Sequence, residues 1–127
     1  MEITDTVKIG GFTYDVKRTD GAFVGGNGDA LDGEHSFSEK TITVSGNGCG
    51  EYQELVFLHE ICHGIIEAYV SPGEHDEKFV EQFSKGLYQV IVDNPVIFSS
   101  RKFKPPHCIM CGQKFDWSTE GDRNGST

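Results

Sequence analysis

The chain has 127 residues, a mass of 14.0 kDa and 36% hydrophobic residues, which suits one compact domain and leaves too little for a second core. The net charge of −9, from 20 acidic and 11 basic residues, would repel nucleic-acid phosphates and anionic lipid headgroups. No apolar run approaches the ~20 residues that span a bilayer, and no basic N-terminal segment leads into a signal sequence. We therefore expect a cytoplasmic protein with reduced cysteines, and neither nucleic acid nor a membrane as a direct partner.

The first part of the chain has the composition of short strands joined by turns. Residues 7–18 contain two β-prone runs around Gly10-Gly11 and predict a hairpin, because glycine readily adopts the positive φ angles of a tight turn. Residues 19–33 are rich in Gly, Asp and Asn and predict a surface loop. Residues 34–44 predict a second pair of strands.

Residues 51–69 predict a buried amphipathic helix. At 3.6 residues per turn, its apolar residues form one wide stripe. His59 and His63 lie together on one shoulder of this stripe, and Glu60 lies beyond them. The predicted stripe consists of Leu55, Leu58, Cys62, Ile65, Ile66 and Tyr69, with Phe57 and Ile61 on its other shoulder.

A second helix is predicted from Ser71, whose hydroxyl would cap it with Glu74 three residues later, to about Asp93, ahead of Asn94-Pro95. Its predicted apolar face consists of Phe79, Val80, Phe83, Leu87, Val90 and Ile91. The fold class that follows is α+β, with a small antiparallel sheet packed on two helices. We predict this domain over residues 1–98 and a largely irregular tail over residues 99–127.

The spacing of His59, Glu60 and His63 is that of zinc hydrolases. Two histidines at i and i+4 present their rings to one point, where a zinc ion can bind both and polarise water. The intervening Glu60 would then lie near the metal and act as general base. Gly64 follows directly and would allow another element to approach closely. The alternative is a buried helix whose two imidazoles are merely hydrogen-bonded locally.

At this point the chain resembles a known family. LHEICHGI (58–65), followed by EHDEKFVEQFSKGLYQVIVDNP (74–95), is similar to the small phage- and prophage-associated metallopeptidases related to the ImmA/IrrE group. The resemblance implies a zinc peptidase that acts on a cytoplasmic protein, such as a phage regulator. It also implies that Glu77 is the third zinc ligand beside the two histidines, and that Glu81 orients a ligand imidazole.

A second resemblance competes with the first. SprT-like proteases have a third His ahead of an aromatic residue, as in HDEKF (75–79), which makes His75 an alternative metal ligand. HCIMCGQKF (107–115) resembles one knuckle of their zinc ribbon and makes Cys108 and Cys111 candidates for a structural zinc site. The acidic net charge disfavours this DNA-associated function. The residues one turn after Glu77 favour that ligand over His75, because Glu81 could orient a ring there.

Three functional hypotheses follow from these motifs. The first is a zinc metallopeptidase with Glu60 as its base. The second is a regulator that keeps the fold and the metal but binds its partner without cleaving it. The third is a structural domain in which the histidines bind no metal.

Overall fold

The computed structural model describes residues 1–25, 28–73 and 75–98. It confirms the α+β class: a four-stranded sheet packs on two helices. The elements are β1 (Thr6–Ile9), β2 (Phe12–Thr19), β3 (Phe23–Val24), β4 (Ala30–Leu31), β5 (Gly33–Ser36), β6 (Thr41–Ser45), α1 (Gly50–Ile65), a π-helical segment (Ile66–Val70) and α2 (Glu77–Asp93).

The sheet has the strand order β1-β2-β6-β5 and is mixed. Both predicted strand pairs are present and antiparallel: β1 with β2, through the turn at Gly10 (φ 62°) and Gly11 (φ 93°), and β5 with β6. Strands β2 and β6 pair in parallel, which requires a long crossover between them. The predicted loop forms that crossover, and it contains the short β3–β4 hairpin.

The hydrophobic core lies between the sheet and α1. On β6, Ile42 and Val44 alternate with polar residues and are completely buried, as expected for a strand with one face against a helix. Tyr14 of β2, Ile9 of β1 and Phe57 of α1 complete the cluster. The core therefore fixes α1 against the face of the sheet.

The predicted stripe of α1 is only partly correct. Leu58 and Cys62 are buried as expected, but Ile65 and Tyr69 are 40% and 56% exposed. At Tyr69 the cause is the π-helical segment, in which the backbone N–H of Ser71 bonds to the carbonyl of Ile66. Each π turn contains more residues than an α turn, so the side chains after Ile65 change phase relative to the wheel.

Helix α2 begins at Glu77, so the predicted start at Ser71 is wrong. Ser71 is extended (φ −156°, ψ 107°) ahead of Pro72, which disfavours helix in the preceding residue. The N-cap is Asp76, whose carboxylate accepts bonds from the backbone N–H groups of Lys78 and Phe79. The predicted C-terminal end at Asp93 is confirmed.

The predicted apolar face of α2 is also only partly buried. Val80 and Ser84 face the core, and the hydroxyl of Tyr88 donates a 2.9 Å hydrogen bond to Glu54 of α1. Phe79 and Phe83, in contrast, are 53% and 52% exposed and stack on each other on the outer side of the helix.

The chain divides into two units, Met1–Asn94 and Pro95–Thr127, and of the second only residues 95–98 are described. The predicted boundary after residue 98 stays a prediction. Cys108 and Cys111 lie outside the described residues. In the described part of the chain, each helix is too short or too polar to cross a membrane.

The Asp76 cap generates a prediction for stability. Asp76→Ala should lower the free energy of unfolding by about 1 kcal/mol, because two backbone donors of the first turn lose their acceptor. Asp76→Asn keeps an acceptor oxygen and should stay within a few tenths of the wild-type value. Urea denaturation measures both changes. Equal losses in the two variants would mean that the charge beside the helix dipole matters and the hydrogen bonds do not.

Candidate metal centre

Three of the residues singled out in the sequence meet in space. His59 and His63 lie one turn apart on α1, and Glu77 is the first residue of α2. The Nε2 atom of His59 is 2.9 Å from Oε2 of Glu77, and Nε2 of His63 is 3.1 Å from Oε1 of the same carboxylate. One ligand atom from each residue lies within 4.8 Å of the other two.

This group fits a metal ion in both geometry and chemistry. Ligand atoms at ~2.1 Å from a tetrahedral zinc lie about 3.4 Å from one another, close to the observed N–O separations. Two imidazoles and one carboxylate form a set that leaves a fourth position open, as catalytic zinc sites do. Burial lowers the pKa of His63 against the opposing effect of the Glu77 carboxylate, so the neutral ring can use a nitrogen as a ligand.

Glu60 lies beside this group and is buried, with 7% of its surface exposed. Burial raises the pKa of its carboxyl to about 8, and the carboxylates of Glu77 and Glu34 add to the shift. A divalent cation at the three ligands would act in the opposite direction, because it favours the charged form of Glu60. Glu60 therefore lies near the candidate metal group, and the pKa of its carboxyl depends strongly on whether a cation is bound there.

Strand β5 approaches Glu60 so closely that only glycine fits at residue 33. A Cβ atom on Gly33 would lie 2.9 Å from Oε2 of Glu60 and 2.5 Å from Cγ1 of Val56. Gly33 was not among the predicted site residues, because a glycine at the edge of a predicted loop gives no sign of what it faces. The close approach predicted at Gly64 is confirmed, since a Cβ there would lie 2.8 Å from Cδ1 of Ile9.

A cavity of about 530 Å³ opens onto the group from the side of β5. Its walls include Glu60 and His63 of α1, Glu34 and His35 of β5, and Glu77 of α2. A second cavity of about 270 Å³ adjoins His59 and shares Glu60 with the first. Glu60 is thus accessible from the larger cavity although most of its surface is covered.

His75, the alternative ligand, lies on the far side of His63. Its Nδ1 atom is 2.8 Å from Nδ1 of His63, whereas Nε2 of His63 faces Glu77. Among the described residues, the group that can hold a metal contains Glu77 and not His75. The carboxylate of Glu81 lies 3.3 Å from Nζ of Lys85 at the second cavity, and its predicted role in orienting an imidazole stays a prediction.

Two residues that contact histidines at the site, Tyr14 and Glu67, were not predicted as site residues. Nε2 of His35 lies 3.1 Å from the hydroxyl of Tyr14, and burial lowers the pKa of His35 to about 4, so this ring is neutral. Nε2 of His75 lies 3.3 Å from Oε1 of Glu67. The only signal for Glu67 was its position four residues after His63, on the same helical face.

Comparison of the chain with protein-family models, curated proteins and solved structures gave no match. The geometry of the site supports a candidate metal centre formed by His59, His63 and Glu77.

The buried carboxyl of Glu60 generates a prediction for the metal-free protein. The pKa of this carboxyl is about 8 in the folded protein, above its ordinary value of 4.5. Its contribution to the free energy of unfolding is therefore fully present below pH 4.5 and is lost as the pH rises through 8. Glu60→Gln removes this loss. At pH 8 the variant should be more stable than wild type by on the order of a few kcal/mol.

Urea unfolding in EDTA at several pH values between 4.5 and 8 measures this difference. Glu39→Gln is the control, because Glu39 is exposed and does not contribute to the pKa shift of Glu60. If the free energies of unfolding of wild type and Glu60→Gln differ by the same amount at every pH in this range, the prediction is contradicted.

Proposed function

We propose that the protein is a zinc-dependent metallopeptidase that hydrolyses peptide bonds of a protein or peptide substrate. The observation that carries the proposal is the placement of a buried carboxyl group, Glu60, beside two imidazoles of the same helix that share a glutamate from the next. A site that only stores a metal has no need of a buried acid outside the ligand set, because burial of such a group costs stability.

The residues divide the chemistry among them. His59, His63 and Glu77 would hold the zinc ion, which when bound would polarise the attacking water and the peptide carbonyl. Glu60 would accept a proton from that water on its carboxylate and later donate it to the leaving amine.

The position of β5 supports a peptide as substrate. It is the last strand of the sheet on the side of the cavity, paired with β6 along one edge only among the described residues. An extended peptide can add to such an edge through backbone hydrogen bonds. Since Gly33 begins this strand and contacts Glu60, the peptide backbone would pass beside the proposed base.

The contacts of His75 bear on the choice between the two resembled families. His75 contacts the nitrogen of His63 that faces away from the ligand group, and Glu77 contacts both imidazoles. This arrangement supports Glu77 as third ligand, as in the ImmA/IrrE-like pattern, and disfavours the SprT-like pattern.

Metal content tests the first part of the proposal. Elemental mass spectrometry of protein purified without chelator should find about one zinc per chain. The variants His59→Ala and Glu77→Ala should lose this zinc. The Cys108→Ser/Cys111→Ser variant is the control and should keep this equivalent, because its cysteines are not in the proposed site. Wild type without metal, whose melting temperature does not rise with added zinc, would refute the proposal.

Hydrolysis tests the second part. Zinc-loaded wild type should generate new termini in a proteome-derived peptide library read by mass spectrometry. Glu60→Gln should keep its zinc and reduce cleavage by about two to four orders of magnitude, since a general base contributes that much. Equal cleavage by both proteins would mean that Glu60 is not the base. A zinc-loaded wild type that cleaves nothing would favour the non-catalytic regulator.

A further inference from the structure

His63 has a partner on each of its two ring nitrogens. Nε2 lies 3.1 Å from Glu77, on the side of the ligand group, and Nδ1 lies 2.8 Å from Nδ1 of His75. The planes of the two rings differ by only 18°, and the side chain of His75 is 7% exposed. At its other end, Nε2 of His75 lies 3.3 Å from Oε1 of Glu67.

These contacts agree with only one arrangement of protons when Nε2 of His63 binds a metal. That nitrogen then carries no proton, so Nδ1 of His63 does and donates to Nδ1 of His75. The proton of His75 consequently resides on its Nε2, which faces the carboxylate of Glu67. The donor on His63 therefore meets an acceptor, Nδ1 of His75, in the direction that leaves the metal-binding lone pair of His63 free.

We propose that His75 and Glu67 are positioning residues that fix the tautomer and the orientation of His63 for metal binding. The inference rests on the proposed zinc site, and it assigns to this pair the role that the sequence analysis gave to Glu81. Partners of this kind hold the rings of metal-binding histidines in many proteins.

These contacts of His63, His75 and Glu67 depend on the π-helical segment that follows α1, where the α-helical wheel does not apply. Glu67 belongs to the π-helical segment, and its Oε1 also accepts a 3.2 Å bond from the backbone N–H of Gly73. Gly73 adopts a φ of 102°, which turns the chain back toward α1 before Asp76 starts the next helix. The same loop therefore carries His75 to His63.

A purely structural role fits His75 less well. Its Nε2 is buried, and its 3.3 Å approach to Glu67 does not form a hydrogen bond. A buried polar atom with so poor a partner lowers stability, and an apolar side chain would avoid the loss. Only the strong contact with His63 explains an imidazole here, and that contact acts on the ligand.

Three variants test the inference: His75→Ala, His75→Asn and Glu67→Gln. His75→Ala should weaken zinc binding by about 10- to 100-fold in competition with a chelating dye. His75→Asn keeps an acceptor oxygen near the position of Nδ1 and should recover most of that affinity. The zinc affinity of Glu67→Gln should lie between those of His75→Ala and His75→Asn. Lys78→Ala, on the exposed side of the first turn of α2, is the control and should bind as wild type does.

A second readout follows the Nδ1 proton of His63 in the zinc-loaded protein. Proton NMR should show this proton protected from exchange with water by its bond to His75 in wild type and in His75→Asn, and unprotected in His75→Ala. Equal protection in His75→Ala, or zinc affinity within threefold of wild type, overturns the inference. Failure of wild type to bind zinc refutes the proposed function instead, because the variants are compared only after wild type has bound the ion.

Discussion

The close approach of α1 to the sheet is the constraint on which the rest of this structure depends. At Gly33 and Gly64 the two layers leave no room for a Cβ atom, so the helix lies nearer to β5 and β1 than larger residues would permit. This proximity covers Glu60 and raises the pKa of its carboxyl to about 8. The unusual acidity of the proposed base is thus a consequence of backbone packing.

The second helix completes the site through the way it begins. Its cap at Asp76 makes Glu77 the first helical residue, and the burial of Val80, which is 1% exposed, holds that first turn in place. The residue before the cap is His75, which contacts the opposite nitrogen of His63. Three consecutive residues therefore supply a proposed ligand, a helix cap and a partner for another proposed ligand, and a shift in the helix start would disturb all three.

The parts of the structure that the sequence predicts are those set by local geometry. The Gly10-Gly11 turn, the i, i+4 spacing of His59 and His63, and the end of α2 before a proline each depend on a few adjacent residues. The parallel pairing of β2 with β6 depends on strands more than twenty residues apart, and no local pattern specifies it. The contact of Glu67 with His75 likewise depends on the π-helical segment and on the turn at Gly73, which the pattern of an α-helix does not specify.

The three proposed ligands differ greatly in exposure. The side chains of His59 and His63 are 17% and 13% exposed, whereas that of Glu77 is 67% exposed. An ion that arrives from solvent would meet the glutamate first and the imidazoles afterwards, and it would leave in the reverse order. Exchange of the ion would then require the rotation of one surface side chain, without any opening of the core. Such a site can take up and release its ion quickly even when the equilibrium favours the bound state, so chelators would reach it while the fold stays intact.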